Sequence, residues 1–146
     1  MNEVSNPVSG LLLVVAVALV DAEGRVLVQQ RPPGKPMAGL WEFPGGKVEP
    51  GEVPEAALVR ELAEELGIEA EPGALTPIAF ASETLGARHL LLLLYRADAW
   101  QGTPEPRHAS ALRWVHPAAM RALAMPPADV PLVDALERLL SSSVSA

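Results

Sequence analysis

Residues 11 to 20, LLLVVAVALV, are ten consecutive apolar positions without a charge or a turn former. No other stretch constrains the fold as strongly. The run is too short to span a bilayer and no basic region precedes it, so it reads as a buried strand and not as a membrane or signal segment. The shorter run 89-HLLLLLY-95 takes the same reading. Strands of this kind call for an antiparallel or mixed sheet with helices on its faces.

Around these runs the sequence is punctuated by turn residues. Asp21-Ala22-Glu23-Gly24 separates 11–20 from a second strand at 25–30, which predicts an opening hairpin. A Pro/Gly-rich loop, 31–39, leads to a short strand at 40–43 that ends at Pro44 and the Gly45-Gly46 pair. Pro54 and Gly67 bracket a helix, the first as a favoured opening residue and the second as a favoured residue just past the end. Strands are expected at 77–83, 88–100 and 111–115, a short helix at 117–123, and an amphipathic helix after 126-PPADVPLV-133 with a frayed Ser-rich end at 141–146. With 146 residues, no internal repeat and no long linker, residues 1–146 are expected to form a single domain.

Composition narrows the partners. Eleven basic against eighteen acidic residues give a formal charge of -7, which argues against a nucleic-acid polymer and leaves small anionic ligands that arrive with cations. The chain has no cysteine, so disulfides, thiolate metal sites and cysteine nucleophiles are excluded, and a reducing cytoplasmic setting is compatible.

The stretch 45-GGKVEPGEVPEAALVRELAEELGI-68 carries the chemistry. At about 100° per residue, Leu58, Leu62 and Leu66 form one apolar stripe, and Glu61, Glu64 and Glu65 fall in an adjoining arc. Arg60 stands four residues before Glu64, the spacing of an ion pair, whereas Glu61 and Glu65 have no basic neighbour three or four residues away. Such a cluster of hard oxygen ligands suits Mg²⁺ or Mn²⁺ together with a phosphorylated substrate. Helical spacing alone leaves a metal platform and a solvated, ion-paired face both open.

The whole stretch resembles the Nudix box: a glycine, five residues, Glu, seven residues, then Arg-Glu-apolar-x-Glu-Glu-x-Gly-apolar. Gly46, Glu52, Arg60, Glu61, Leu62, Glu64, Glu65, Gly67 and Ile68 fill every specified position. The likeness to Nudix hydrolases extends over most of the chain, and 41-WEFPGGKVEPGE-52 looks particularly like the MutT-type members. The resemblance implies an α/β fold, an α/β/α sandwich with a mixed sheet and the Nudix-box loop and helix. It implies hydrolysis of a nucleoside triphosphate to a monophosphate and pyrophosphate. By the same resemblance Glu61, Glu64, Glu65 and the Gly45 carbonyl would hold Mg²⁺, or Mn²⁺ in its place. Glu61 would orient or deprotonate the attacking water, and Arg60 and Glu52 would support the carboxylate geometry. Those metal ions would screen the triphosphate and activate water, so no covalent nucleophile is required.

Outside the box, Arg31, Glu42, Phe43 and Arg88 match positions that line the nucleotide pocket in MutT-like relatives, and Lys47 is a candidate phosphate contact. Each has a plainer reading: Phe43 as a core residue, Arg31 as a solvated strand end, Lys47 as an exposed strand lysine. Asp129 is either the N-cap of the last helix or the residue that reads the base, a position that is usually Asn in MutT-like relatives. The segment Pro-Ala-Asp-x-Pro-Leu resembles CTP-type pyrophosphohydrolases, so the substrate is expected to be 8-oxo-dGTP or another noncanonical nucleotide, with a cytosine nucleotide as the alternative. His108 stands where relatives commonly carry a metal-binding or basic Glu, with Glu105 three residues earlier. His89 and His116 belong to no motif. A Nudix fold kept as a non-catalytic binding module, and hydrolysis of a nucleotide sugar or dinucleotide, are the remaining alternatives.

Overall fold

The computed structural model describes residues 10–144. In chain order the elements are β1 (Leu11–Leu19), β2 (Val26–Gln30), β3 (Trp41–Glu42), β4 (Gly45–Lys47), α1 (Pro54–Leu66), β5 (Thr76–Leu85), β6 (Arg88–Ala97), β7 (Ala111–Val115), α2 (Pro117–Met120) and α3 (Val130–Val144). Four strands make a mixed sheet in the order β4-β1-β6-β5, and three make a second sheet in the order β3-β2-β7.

The sheet explains why residues 11–20 are apolar without alternation. β1 pairs in parallel with β6 along its whole length and antiparallel with β4. Val15, Val17 and Leu19 point into an apolar cluster with Leu58, Leu62 and Leu66 of α1. Ala16, Ala18 and Val20 enter a second cluster with Leu132, Val133 and Leu136 of α3. A strand buried on both faces has no polar side to show, and the α/β/α sandwich follows from it. Full burial of each valine or leucine among them contributes roughly 1.5–3 kcal/mol.

The predicted opening hairpin is not formed. The Asp21 turn exists, closed by backbone N–H groups of Glu23 and Arg25 donating to the Asp21 carboxylate. After one bridge, Val20 to Val26, β1 and β2 part into different sheets. The reason is competition for edges: β4 and β6 occupy both sides of β1, leaving no edge for β2. The other differences are local. Gly45–Lys47 pairs with β1 as β4, where the sequence suggested a strand end. The last helix runs through the serines to Val144, and residues 145–146 of the expected frayed end lie outside the described region. Among the described residues no helix is long and apolar enough to cross a membrane.

Candidate active site

α1 begins and ends where its sequence signals stand. Pro54 is its first residue, and Gly67 closes it in the left-handed conformation (φ 71°) with its N–H donating to the Ala63 carbonyl. Leu58, Leu62 and Leu66 are fully buried, which fixes the rotation of the helix and turns Glu61, Glu64 and Glu65 toward its flank. Their side chains are 13%, 54% and 22% exposed, so Glu61 and Glu65 are held in the protein while Glu64 reaches solvent.

Arg60 is the hub of this flank. Its Nε donates to Glu52 Oε2 at 2.7 Å and its Nη2 to Glu52 Oε1 at 3.0 Å, a two-pronged contact. Nη1 reaches Glu61 at 3.1 Å and Glu64 at 3.4 Å, and Nη2 also donates to the Lys47 carbonyl at 3.1 Å. The expected Arg60–Glu64 pair is therefore present, but it is the longest of these side-chain contacts. Glu61, which helical spacing left without a cation, is partnered by its immediate neighbour. Adjacent helical positions do not face each other; the arginine's length brings its guanidinium back to Glu61.

The electrostatics separate the carboxylates. Hydrogen bonding to Arg60 first, and to the Glu49 N–H second, pulls the Glu52 carboxyl down to about 2. Burial pushes Glu61 above the ordinary range, opposed by Arg60. Burial also raises Glu65, opposed by a hydrogen bond from Gln29 and reinforced by the charge of Glu61. Gly46 of β4 lies so close to Glu61 that a Cβ there would overlap its carboxyl group. Gly46 is thus required by the approach of strand to helix, whereas a Cβ on Gly45 would strike the backbone of β1 at Val15 and Ala16.

Beside this flank opens a cavity of about 570 Å³. Arg31, Glu42, Phe43, Gly45, Lys47, Glu65 and Asp129 all line it, so seven of the residues singled out from sequence converge. Arg88 does not join them: it is exposed at the start of β6, beside Gly10. Phe43 is 3% exposed and packs into the α3-side core, so its plain reading as a core residue holds while it also forms cleft wall. Arg31 is tied to Glu42 at 2.8 Å and to the Pro36 carbonyl at 2.7 Å.

Asp129 precedes α3, and its backbone carbonyl accepts from the Leu132 and Val133 N–H groups. Its side chain turns elsewhere: Oδ2 accepts from the Phe43 N–H at 3.2 Å. Burial pushes this carboxyl up to about 7, offset in part by the Phe43 bond, while Glu42 raises it further and Arg31 lowers it.

A second cavity of about 580 Å³ shares Arg31, Lys35, Glu42 and Glu65 with the first and adds Gln29, Arg107 and His108. His108 is exposed, with Nδ1 3.8 Å from Glu65 Oε2. Glu105 is exposed and pairs loosely with Arg107 at 3.7 Å. Two residues here escaped the sequence. Arg107 donates from its backbone N–H to the Glu65 carbonyl and from Nη1 to the Ala63 carbonyl, supplying a cation at the end of α1, whose last turn has none. Gln29 is buried between Glu42 and Glu65. A polar position near the end of a strand was the only local hint of Gln29, and nothing local marked Arg107.

Among the described residues no group of three or more Asp, Glu or His side chains is arranged as a metal-holding cluster. The donor set itself fits a hard divalent cation, since it consists of carboxylate and backbone carbonyl oxygens. Two of the carboxylates, Glu61 and Glu65, are pushed up by burial, and a cation bound beside them would favour their ionised form.

A mixed-sheet α/β/α sandwich with a glycine strand and a carboxylate helix beside a cleft defines a class of proteins suited to anionic ligands that arrive with divalent cations. Comparison with known proteins narrows that class. The sequence profile of the NUDIX domain matches residues 10–136, and the chain belongs to the Nudix family. It is 39% identical over 128 residues to the CTP pyrophosphohydrolase of Escherichia coli K12, covering 88% of this chain and 93% of that one. It is 34% identical over 133 residues to the 8-oxo-dGTP diphosphatase of the same organism, covering 87% and 98%. The solution structure of the E. coli ORF135 protein superposes with a TM-score of 0.81 at 37% identity, covering 91% of this chain and 93% of that one. Members of this family typically depend on a divalent metal.

Proposed function

We propose that this chain is a Mg²⁺-dependent nucleoside triphosphate pyrophosphohydrolase that converts 8-oxo-dGTP or another noncanonical (d)NTP to the monophosphate and pyrophosphate. The observation that carries this reading is that Glu65 of the carboxylate helix and the Gly45-Gly46 strand, which packs against Glu61, line the same cleft as Asp129. Glu61, Glu64, Glu65 and the Gly45 carbonyl are the residues that would hold the metal, with Mn²⁺ as a substitute. Bound there, a divalent cation would screen the triphosphate, polarise a phosphoryl oxygen and lower the pKa of water.

The rest of the work falls to the chain. Arg60 holds Glu52 and Glu61 in fixed orientation through charge-assisted bonds. Glu61, kept partly desolvated and above the usual carboxylate range, is suited to accept the proton of the attacking water. The water oxygen bonds to phosphorus, the bridging P–O bond breaks, and pyrophosphate and the monophosphate separate. Lys47 and Arg31 face the phosphates from the cleft wall, and Asp129 reads the base from the α3 side.

A cytosine nucleotide is the second reading, supported by the CTP pyrophosphohydrolase relative and by Asp in place of the usual Asn. Pyrophosphate release with Mg²⁺ from a panel of 8-oxo-dGTP, dGTP, dCTP, CTP and 5-substituted dCTP separates the two. Release from none of them refutes both.

A further inference from the structure

Gln29 has no part in the scheme above, yet it is among the most constrained polar side chains in the cleft. The β2–β3 register sets it opposite Glu42, and it is 6% exposed. Its Nε2 donates to Glu65 Oε1 at 3.2 Å and to Glu42 Oε2 at 3.4 Å. Both acceptors are carboxylate oxygens, which when ionised have no hydrogen to offer, so the amide nitrogen is the end that must face them. The carbonyl Oε1 is thereby committed elsewhere, and it is buried with no hydrogen-bond partner. Buried acceptors are nearly always satisfied, because an orphan has lost its water and received nothing in return.

The surroundings indicate what kind of group belongs on Oε1. Gln29 lines the same cavity as Arg31, Lys35, Glu65, Arg107 and His108. The cations there suit phosphate oxygens, but an ionised phosphate oxygen is itself an acceptor and cannot satisfy another. The partner of Oε1 must be a donor, and the donor that triphosphate hydrolysis brings into the site is the attacking water. Glutamine orients the attacking water in other phosphoryl-transfer sites, where it accepts a hydrogen bond without taking the proton.

We propose that Gln29 orients the nucleophilic water: Nε2 is anchored between Glu42 and Glu65, and Oε1 accepts one O–H, aiming the oxygen lone pair at phosphorus. The inference rests on the pyrophosphohydrolase reading. The water's other proton passes to a site carboxylate as its oxygen bonds to phosphorus and the bridging P–O bond breaks, so Gln29 emerges unchanged.

The test uses Gln29→Met, close in shape and without polar atoms, and Gln29→Asn, which keeps the amide but withdraws it. Three quantities are read: kcat and KM for the best substrate of the panel, Mn²⁺ affinity by electron paramagnetic resonance without nucleotide, and the thermal midpoint. In both variants kcat falls by about 10²-fold, the cost of a misplaced reactant. KM stays within about twofold, since ground-state binding is untouched. Mn²⁺ affinity falls by far less than kcat, because Glu65 loses only the Nε2 bond, and the midpoint shows that the variant is folded. Unchanged kcat overturns the proposal. A loss of Mn²⁺ affinity that matches the loss of kcat also overturns it, since Gln29 would then act only by holding Glu65. If the Met variant does not fold, the Asn variant decides by the same criteria. A wild-type chain inert on the whole panel refutes the hydrolase reading and this inference with it, whereas an active wild type beside equally active variants refutes this inference alone.

Discussion

Replacing Asp129 by asparagine tests the electrostatics of the cleft without disturbing its shape. Asparagine has nearly the same volume and retains an oxygen to accept the Phe43 N–H, now 3.2 Å from Oδ2, but it cannot ionise. In the native chain, burial lifts the Asp129 carboxyl from 3.8 to about 7. Each pH unit corresponds to about 1.4 kcal/mol, so this rise amounts to about 4 kcal/mol of linkage. The sign follows from the direction of the shift. Below pH 3.8 the group is neutral in folded and unfolded chains alike, and its favourable contribution is fully present. Between 3.8 and about 7 the unfolded chain releases the proton while the folded chain retains it, so stability falls as pH rises and levels off above 7. The substituted side chain stays neutral throughout. Urea unfolding at half-unit steps from about pH 4 to 9 therefore gives a variant-minus-wild-type difference that grows by about 4 kcal/mol between about pH 4 and 8 and then stays flat. A constant offset, which the extra amide donor can introduce, leaves this slope untouched. A difference independent of pH would falsify the assignment of Asp129 as a desolvated acid and return it to an ordinary helix-capping role.

Further outcomes follow from the carboxylate flank. Glu61→Gln lowers kcat by about 10²–10⁴-fold with nucleotide binding retained, as expected for the group that accepts the water's proton; full turnover in single-turnover kinetics rules that role out. Arg60→Met releases Glu52, whose carboxyl rises from about 2 toward its ordinary value of 4.5. The Glu52 contribution is a depressed-pKa one, present above 4.5 and lost as pH falls toward about 2, so the variant loses that acid-side dependence; carbon-13 NMR titration of the Glu52 carboxyl reads it directly. Gly67→Ala destabilises the chain by about 1–2 kcal/mol from the left-handed backbone alone, and it also displaces the Arg107 guanidinium packed against that position; an unchanged urea midpoint contradicts both. Chelation by EDTA abolishes pyrophosphate release and added Mg²⁺ or Mn²⁺ restores it, whereas activity that survives exhaustive chelation contradicts the metal role of Glu61, Glu64 and Glu65.

The parts of the fold that were legible in sequence are those whose causes are local. Pro54, Gly67 and the leucines at 58, 62 and 66 state the helix, its ends and its buried face within one short stretch, and the structure follows them. The hairpin of β1 and β2 failed because strand pairing is decided by competition among partners far apart in sequence. A turn at Asp21 says that the chain reverses; it does not say that β4 and β6 already hold both edges of β1. The same distinction runs through the site. Arg60 and Glu61 stand side by side in sequence, yet only the folded arginine shows that it doubles back to its neighbour. The bond from Phe43 to Asp129 spans 86 residues and the cap from Arg107 to Ala63 spans 44. Neither has any periodicity that a linear reading can detect.

Because α1 is seated in one apolar cluster and the residues leading into α3 in the other, the roles proposed for the carboxylate helix and for Asp129 rest on separately packed parts of the fold. Drift at Asp129 or its exposed neighbour Pro127 leaves the packing of Leu58, Leu62 and Leu66 untouched. On the proposed assignment of Asp129 to the base, a change of base preference there would not require rebuilding the carboxylate helix. On the same assignment, residues 126–129 are the segment to graft in a test of base preference, with the stretch from Gly45 to Ile68 carried over whole.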